Sequence, residues 1–250
     1  MPEPIYTPET CTPTYQLNWS YALFWHNPPA GVSWFEQLQE LLDENHIRLL
    51  QHEFEQGNVS KFLITTQPHT APLLIAQRVK GRLQHLIRDA LPNAFRRNYS
   101  LRSVGSTKRE KLEAYVRGQL GYHPMADPRV QEPLHKYQIR NRDIDLSAPR
   151  QTSHAQYRHN LHLVLVNNSR WMEVREDTLQ GIRDMIVGAA RAKGHLLSLG
   201  SIVPDHVHLT LGCRLDESPE QVALSYMNNL AHACGMRAIF KFSFFAARIQ

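Results

Sequence analysis

The sequence predicts an α+β protein made of two β-α-β-β-α-β repeats, and three observations support this prediction. Segments of alternating apolar residues, typical of half-buried strands, occur together with amphipathic segments at helical spacing. The same order of segments occurs twice along the chain, which indicates an internal repeat. Between the two copies lies a polar, proline-rich segment, residues 122–156, which is typical of a linker.

The first repeat is predicted over residues 17–121, and it follows an irregular arm, residues 1–16, that contains four prolines. Its elements follow the order strand, helix, strand, strand, helix, strand, with one further helix at the end. Along the chain these elements are expected over residues 17–26, 34–45, 47–54, 61–66, 71–91, 99–104 and 108–120. Ser106 and Thr107 are expected to cap the last helix.

The second repeat is predicted over residues 157–250 and contains the same six elements without the further helix. They are expected over residues 160–166, 175–193, 196–203, 206–211, 218–234 and 238–245. This order of elements predicts a ferredoxin-like fold with an antiparallel sheet for each repeat. The sequence given ends at Gln250, where a second copy of the further helix would begin.

Composition restricts the class of protein. The chain of 250 residues is 42% hydrophobic, which is enough for one large core or two smaller cores. Three scattered cysteines exclude a disulfide framework and a zinc knuckle, and they favour a reducing compartment. The first residues lack the basic start and apolar run of a signal peptide, and no apolar stretch has the length of a membrane span. We therefore expect a soluble cytoplasmic protein with no membrane partner.

Positive charge is concentrated between Arg78 and Lys111, although the whole chain carries a net charge of only +5. This segment contains ten Lys and Arg residues and two acidic residues. It indicates a polyanionic partner, with nucleic acid as the first candidate, whereas a solvated helix face is the alternative interpretation. The four tryptophans are most simply core or interface residues, although an exposed one would suit stacking on a base. The candidate contacts to the backbone of single-stranded or hairpin DNA are Lys80, Arg82, Arg88, Arg96, Arg97, Arg102, Lys108 and Arg109.

The segment Val203–Leu211, with the sequence Val-Pro-Asp-His-Val-His-Leu-Thr-Leu, predicts a buried strand that is entered through a turn. Because side chains alternate between the two faces of a strand, His206 and His208 share one face and Val207 points to the other. Two neutral imidazoles on a rigid strand can chelate a divalent cation. A partly exposed His pair without a ligand is the alternative.

The segment Pro204–Leu209, which follows an alternating first strand and precedes a long helix, resembles the HUH motif of single-tyrosine transposases. These are small insertion-sequence and REP-associated enzymes that cut single-stranded DNA. In them, two His separated by one hydrophobic residue bind a divalent ion, and the nucleophile is a Tyr on a later helix. The segment Leu112–Gln119 resembles that helix, with Tyr115 followed by Gln119. The resemblance implies Mg²⁺ or Mn²⁺ as cofactor, single-stranded or hairpin DNA as partner, and a bacterial cytoplasm or nucleoid as location.

The two repeats are complementary in what they lack. The first has Asn58-Val59-Ser60-Lys61-Phe62 where the resemblance expects the His pair, and the second has no Tyr helix. In dimers of these transposases, the Tyr helix of one subunit can complete the site of the other. We therefore expect a fused pseudo-dimer in which Tyr115 is the catalytic residue. The resemblance implies that the metal ligands in this pseudo-dimer are His206, His208 and Gln119, and Gln119 lies about one helical turn after Tyr115, on the same face.

Two other functions stay open. The degeneration of one site fits a DNA- or RNA-binding protein that keeps the fold and no longer cuts. A replication initiator or relaxase-like nickase shares the His pair and the Tyr, but it usually has a different order of elements. Against the nickase stands the compact duplicated repeat, because this chain has no long insertions.

Overall fold

The structure, a computed structural model, describes residues 3–55, 57–105, 107–122 and 128–249. These residues form a mixed α+β fold with two six-stranded β-sheets and seven α-helices. The predicted α+β class is therefore confirmed. None of the helices in these ranges has the combination of length and apolar composition that crossing a membrane requires.

The described residues form twelve strands and seven α-helices. The strands are β1 (Thr12–Gln16), β2 (Asn18–Trp25), β3 (Ile47–Glu55), β4 (Val59–Thr66), β5 (Phe95–Val104), β6 (Ile139–Arg140), β7 (Arg150–Gln151), β8 (Ala155–Arg158), β9 (Asn160–Val166), β10 (Leu196–Val203), β11 (His206–Gly212) and β12 (Ser243–Arg248). The helices are α1 (Phe35–Asp43), α2 (Pro72–Ile87), α3 (Arg109–Arg117), α4 (Gln119–Tyr122), α5 (Pro128–Leu134), α6 (Glu176–Lys193) and α7 (Pro219–Ala233).

Both sheets contain the same arrangement of four strands. The first sheet has the order β3-β4-β2-β5-β8-β7, and the second sheet has the order β1-β12-β9-β11-β10-β6. In each sheet, four strands come from one β-α-β-β-α-β segment of the chain. The first of these four lies between the third and the fourth, and the second lies beyond the third. All neighbours among the four are antiparallel.

Two segments that were expected to lack regular structure extend the sheets. The arm forms β1, which pairs in parallel with β12. The linker forms α5 and three short strands, of which β6 pairs with β10 and β8 pairs in parallel with β5. The structure differs here from the prediction, because strands of two to five residues are too short to show a periodic pattern.

Each sheet has its own hydrophobic core. Helices α1 and α2 pack against the first sheet, and helices α6 and α7 pack against the second sheet. The second core also contains Leu120 from α4, and the first core also contains Leu215 from the loop after β11. Full burial of such a Leu side chain contributes about 1.5–3 kcal/mol. This exchange of side chains therefore joins the two sheets.

The segment after β5 is divided into two helices. The sequence predicts one helix over residues 108–120, whereas α3 ends at Arg117 and α4 begins at Gln119. Gly118 lies between them with φ −85° and ψ 0°, and its amide donates to the carbonyl oxygen of Tyr115 at 3.2 Å. The break lies directly before Gln119.

Two further boundaries differ from the prediction. The first residue of α3 follows Lys108, and this N-cap makes no side-chain cap hydrogen bond; of the two expected cap residues, Ser106 lies outside the described residues. The last strand begins at Ser243 rather than at residue 238. Phe240 instead forms an isolated bridge with Asn167, so the chain first continues along the loop after β9.

Candidate functional site

Strand β11 presents alternate side chains to the two faces of the second sheet. Val207, Leu209 and Leu211 belong to the core formed with α6 and α7, so His206 and His208 face the opposite side. Both histidines are buried, with exposed fractions of 5% and 3%. Their ring centroids are 4.7 Å apart. Regular antiparallel pairing with β9 and β10 holds these two rings on a rigid element.

His206 contacts groups from two distant parts of the chain. Its Nδ1 lies 2.7 Å from Oδ1 of Asp205, and its Nε2 lies 3.3 Å from Oε1 of Gln119. The Asp205 carboxylate also accepts a hydrogen bond of 2.8 Å from the guanidinium of Arg170. Burial raises the pKa of Asp205, but the hydrogen bond from His206 and the pair with Arg170 outweigh burial, so the pKa is lowered. The ionised carboxylate fixes the ring of His206 and directs Nε2 towards Gln119.

A third histidine holds His208. Nδ1 of His208 lies 2.9 Å from Nε2 of His162 on β9, and the two rings are nearly parallel, with an interplanar angle of 11°. Burial lowers the pKa of His162 to about 4, so this imidazole is neutral at pH 7. One of the two facing nitrogen atoms must donate. When His208 donates from Nδ1, its Nε2 keeps the lone pair that a metal ion needs.

The segment after β5 brings Tyr115 and Gln119 beside these histidines. The ring centroid of Tyr115 lies 5.5 Å from that of His208, and the two rings are at 87°. Tyr115 is 46% exposed, so a large substrate can reach it. Gln119 is buried, and its Nε2 donates to the carbonyl oxygen of Tyr115 at 3.1 Å, which orients Oε1 towards His206. Gln119 and His206 meet although 87 positions separate them in the sequence.

The donor atoms at this site suit a divalent cation. In the described part of the chain, no three His, Cys, Asp or Glu side chains form a metal-binding group, and the amide of Gln119 is a further oxygen donor beside the two histidines. Oε1 of Gln119 and Nε2 of His206 are 3.3 Å apart. When two donor atoms each lie about 2.1 Å from one ion and the donor–ion–donor angle is 90°, the donors are about 3 Å apart. Imidazole nitrogen and amide oxygen together accept several divalent ions.

Three of the predicted DNA-binding residues line two different clefts. Lys80 and Arg97 line a cleft of about 1340 Å³ between α2, β5, the β7–β8 hairpin and the end of α6. Arg109 lies elsewhere and pairs with Glu113 and Asp145. The remaining candidates lie on α2, directly after α2, on β5 and before α3, and they are Arg82, Arg88, Arg96, Arg102 and Lys108.

The same cleft contains basic residues that sequence reasoning missed. They are Arg150, Arg191, Lys193 and Arg214. These residues come from the linker, the end of α6 and the loop after β11, so no local run of charge marks them. With Lys80 and Arg97 they give six basic side chains against one acidic side chain, Asp216, in the lining. Arg214 pairs with Asp216 at 3.0 and 2.7 Å, and the other charges give the cleft the character of an anion-binding surface.

Comparisons with known proteins assign no family to the chain. No family model matches it, and a search of curated proteins found no significant match. A solved structure of a REP-associated tyrosine transposase bound to a REP hairpin is 17% identical, with 40% of this chain and 63% of that chain covered and a TM-score of 0.28. A bacterial light-regulated adenylyl cyclase is 7% identical, with 78% of this chain and 59% of that chain covered and a TM-score of 0.21. The chain thus spans less than two thirds of either protein, and TM-scores this low carry no argument about its fold or function.

Proposed function

We propose that the protein is a metal-dependent single-stranded DNA endonuclease and strand transferase, either a transposase or a domesticated relative of the HUH single-tyrosine kind. The observation that carries the proposal is the contact of Tyr115 and Gln119 with His208 and His206. These are the side chains that the motif resemblance assigns to one active site. Two unrelated sequence patterns that arose by chance would have no reason to meet in the fold.

A pseudo-dimer of two ferredoxin-like repeats, over residues 17–121 and 157–250, is part of this proposal. The identical order of four strands in the two sheets supports it. The path of the chain after β5 also supports it, because α3 and α4 leave the first sheet and contact β10 of the second sheet. In this arrangement the first repeat supplies the Tyr and the Gln, and the second supplies the His pair.

The proposed reaction is a transesterification at a phosphodiester. The phenolate oxygen of Tyr115 forms a bond to phosphorus while the bond from phosphorus to the 3′ oxygen breaks. The electron pair of the broken bond leaves with the 3′ oxygen, which takes a proton from water and becomes a 3′-OH. The 5′ phosphate stays on Tyr115, and attack by a 3′-OH later releases the tyrosine and joins the strands. A bound Mg²⁺ or Mn²⁺ ion supplies charge neutralisation at the non-bridging phosphate oxygens.

The residues around Tyr115 have separate tasks in this proposal. His206, His208 and Gln119 are the residues that would hold the ion. Asp205 keeps Nδ1 of His206 engaged, so that Nε2 faces the ligand side. Because a free tyrosine has a pKa of about 10, the phenol must lose its proton before it attacks. The exposed side of Tyr115 gives that proton a route to solvent.

The basic cleft supports the nucleic-acid part of the proposal. Six basic side chains in its lining suit a sugar–phosphate backbone, and such contacts release counterions from the nucleic acid. The affinity for DNA is therefore expected to fall steeply as the salt concentration rises. The proposed backbone contacts are Lys80, Arg82, Arg88, Arg96, Arg97, Arg102, Lys108, Arg109, Arg150, Arg191, Lys193 and Arg214.

Incubation with labelled single-stranded oligonucleotides, including hairpins, in Mg²⁺ or Mn²⁺ tests the proposal. Denaturing electrophoresis is expected to show a protein–DNA band, because the DNA is joined covalently to Tyr115. Tyr115→Phe and His208→Ala should abolish the band. Tyr15→Phe alters another tyrosine on the surface, at 36% exposure, and should retain it. A band of full strength in Tyr115→Phe would overturn the assignment of the nucleophile.

A DNA- or RNA-binding protein without nuclease activity is the second candidate. One observation favours it: among the described residues no group of three His, Cys, Asp or Glu side chains is arranged for a metal ion, whereas Mg²⁺ sites usually contain carboxylates. In the same assay this function predicts complexes under native conditions and no covalent band. Tyr115→Phe would then bind DNA as tightly as the parent protein.

A further inference from the structure

The loop between β9 and α6 is fixed to the turn that precedes β11. The amide of Asn167 donates to the carbonyl oxygen of Asp205 at 2.8 Å, and its Nδ2 donates to the carbonyl oxygen of Pro204 at 2.8 Å. The same Nδ2 donates to the carbonyl oxygen of Trp171 at 2.9 Å. The amide of Glu173 donates to Pro204 at 2.8 Å. The backbone at Trp171 therefore lies within two hydrogen bonds of the turn that presents the His pair.

Trp171 extends from this loop into solvent. It is 67% exposed, whereas the other three tryptophans are at most 5% exposed. The two residues before it, Ser169 and Arg170, have φ values of 52° and 53°. This left-handed conformation is unfavourable for residues other than glycine and persists only where the surrounding structure enforces it. A strained loop that exposes a large aromatic side chain indicates a binding surface rather than packing.

Arg170 connects the loop to the proposed metal site. Its guanidinium donates to Oδ2 of Asp205 at 2.8 Å, and Oδ1 of the same carboxylate lies 2.7 Å from Nδ1 of His206. The residue next to Trp171 is thus two contacts away from a proposed ligand of the ion. The loop that carries Trp171 therefore borders the proposed site on the side of His206.

The surroundings of Trp171 suit a nucleotide. A cavity of about 600 Å³ beside the loop is lined by Trp171, by the charged side chains of Glu173, Arg175 and Arg237, and by polar and apolar side chains that include Asn168, Thr178 and Ile182. Arg175 shares its charge with the neighbouring Glu173. Proteins that bind single-stranded nucleic acid combine an aromatic ring, on which bases stack, with cations that follow the backbone. Both parts are present here.

We propose that Trp171 stacks on a base of the substrate strand and thereby fixes which phosphodiester lies over Tyr115. This inference rests on the proposed function, because it assigns a substrate contact to the same site. Every base has a π-face, so the stack reads no sequence; it fixes the spacing between the stacked base and the phosphodiester over Tyr115. Burial of Trp171 against another protein is the competing use of this surface, and the experiment separates the two.

Fluorescence of the Tyr115→Phe protein, which leaves the DNA uncut, measures the contact. Oligothymidylate of about 16 nucleotides is expected to quench tryptophan emission, because Trp171 is the exposed indole of the four. The quenching should disappear in Trp171→Phe, which keeps an aromatic ring for stacking. In Trp171→Ala, binding of a labelled strand measured by anisotropy should weaken at least about fivefold.

Two controls separate stacking from charge and from the fold of the loop. Val174→Ala removes another exposed apolar side chain of the same loop, at 60% exposure, and should bind DNA as the parent does. Inorganic polyphosphate has charge but no bases, so Trp171→Ala should bind it as tightly as the parent does. The inference is overturned if Trp171→Ala binds oligothymidylate as tightly as the parent does. It is also overturned if the variant loses as much affinity for polyphosphate as for oligothymidylate. A change of oligomeric state with unchanged DNA binding overturns it in favour of a protein interface.

Failure of this inference is distinguishable from failure of the proposed function. If the parent protein forms the covalent band and Trp171→Ala forms it at the same positions on the DNA, only the stacking inference is overturned. If no variant forms the band, but quenching and affinity for single strands depend on Trp171, the nuclease is overturned and the base contact stands.

Discussion

The third strand of the β-α-β-β-α-β segment differs between the two sheets. On β4, the face opposite the helices carries Val59 and Lys61, which are half-buried, and Lys61 pairs with Glu55 on the neighbouring strand. On β11, the corresponding face carries His206 and His208, which are buried. The strand order around the two strands is the same, so topology does not cause the difference. The cause is the segment after β5, because its helices α3 and α4 contact the second sheet.

This difference explains how the proposed pseudo-dimer can hold one site instead of two. A buried polar face needs hydrogen-bond partners, and Asp205 and His162 supply them to the histidines on β11. The side chains on β4 remain in contact with water and do not need such partners. In the proposed pseudo-dimer, the first sheet therefore serves as the support that delivers Tyr115 and Gln119, and the second sheet carries the metal ligands.

The largest expected effect is a difference in metal binding between β11 and β4, which are the third strands of their β-α-β-β-α-β segments. His208→Ala should weaken the binding of Mn²⁺ to the protein alone by more than about 100-fold, because it removes a ligand and not only its support. Lys61→Ala, on the corresponding face of β4, should leave Mn²⁺ binding unchanged and alter the free energy of unfolding by less than about 0.5 kcal/mol. Titration calorimetry or Mn²⁺ paramagnetic resonance measures both. Equal losses in the two variants would contradict the assignment of the site to β11.

The central strands and long helices could be predicted because each is long enough to show a period. Residues 160–166 and 196–203 were predicted with the bounds that β9 and β10 have. The break at Gly118 was missed, since a glycine inside an amphipathic segment does not by itself end a helix. The short strands of the arm and linker were missed because their pairing with distant strands, rather than their local pattern, forms them.

The candidate site could be predicted only as far as local spacing reaches. Alternation along one strand gives the common face of His206 and His208. The contacts of Asp205 with Arg170, and of His162 with His208, depend on strand register and loop path, which no local pattern encodes. The exposure of Trp171 could not be predicted either, since its sequence neighbourhood does not distinguish a core tryptophan from a surface one.

A smaller effect is expected for Gln119, the proposed ligand that the segment after β5 brings to the second sheet. Gln119→Glu should raise the affinity for Mn²⁺ about tenfold, because a carboxylate adds charge to the ligand set, and Gln119→Leu should lower it about tenfold. The same titration without DNA measures both changes. Gln131→Glu alters the glutamine that donates to the carbonyl oxygen of Leu120, and it should leave the affinity unchanged. A shift of the same sign in both Gln119 variants would rule out a ligand role for this amide.

The smallest expected effect concerns the joint between the two sheets. The guanidinium of Arg248 on β12 is buried and lies 3.4 Å from the ring centroid of Trp19 on β2. Among the described residues none of its three nitrogen atoms has a hydrogen-bond partner, and burial lowers the pKa of Arg248 well below its usual range. Arg248→Met should therefore raise the free energy of unfolding by about 1 kcal/mol, because an apolar side chain of similar length is buried without the desolvation cost of a charge. Urea denaturation at pH 7 measures the change.

Arg102→Met, on the exposed face of β5, is the matched control for this joint and should change the free energy of unfolding by less than about 0.5 kcal/mol. A stabilised Arg248→Met would mean that exchange of apolar side chains such as Leu120 and Leu215 holds the two sheets together. A loss of more than about 1 kcal/mol would contradict this, because it would mean that the stack of Arg248 on Trp19 outweighs desolvation. The stack would then be what keeps the segment after β5 on the histidine face, and the same variant should weaken Mn²⁺ binding.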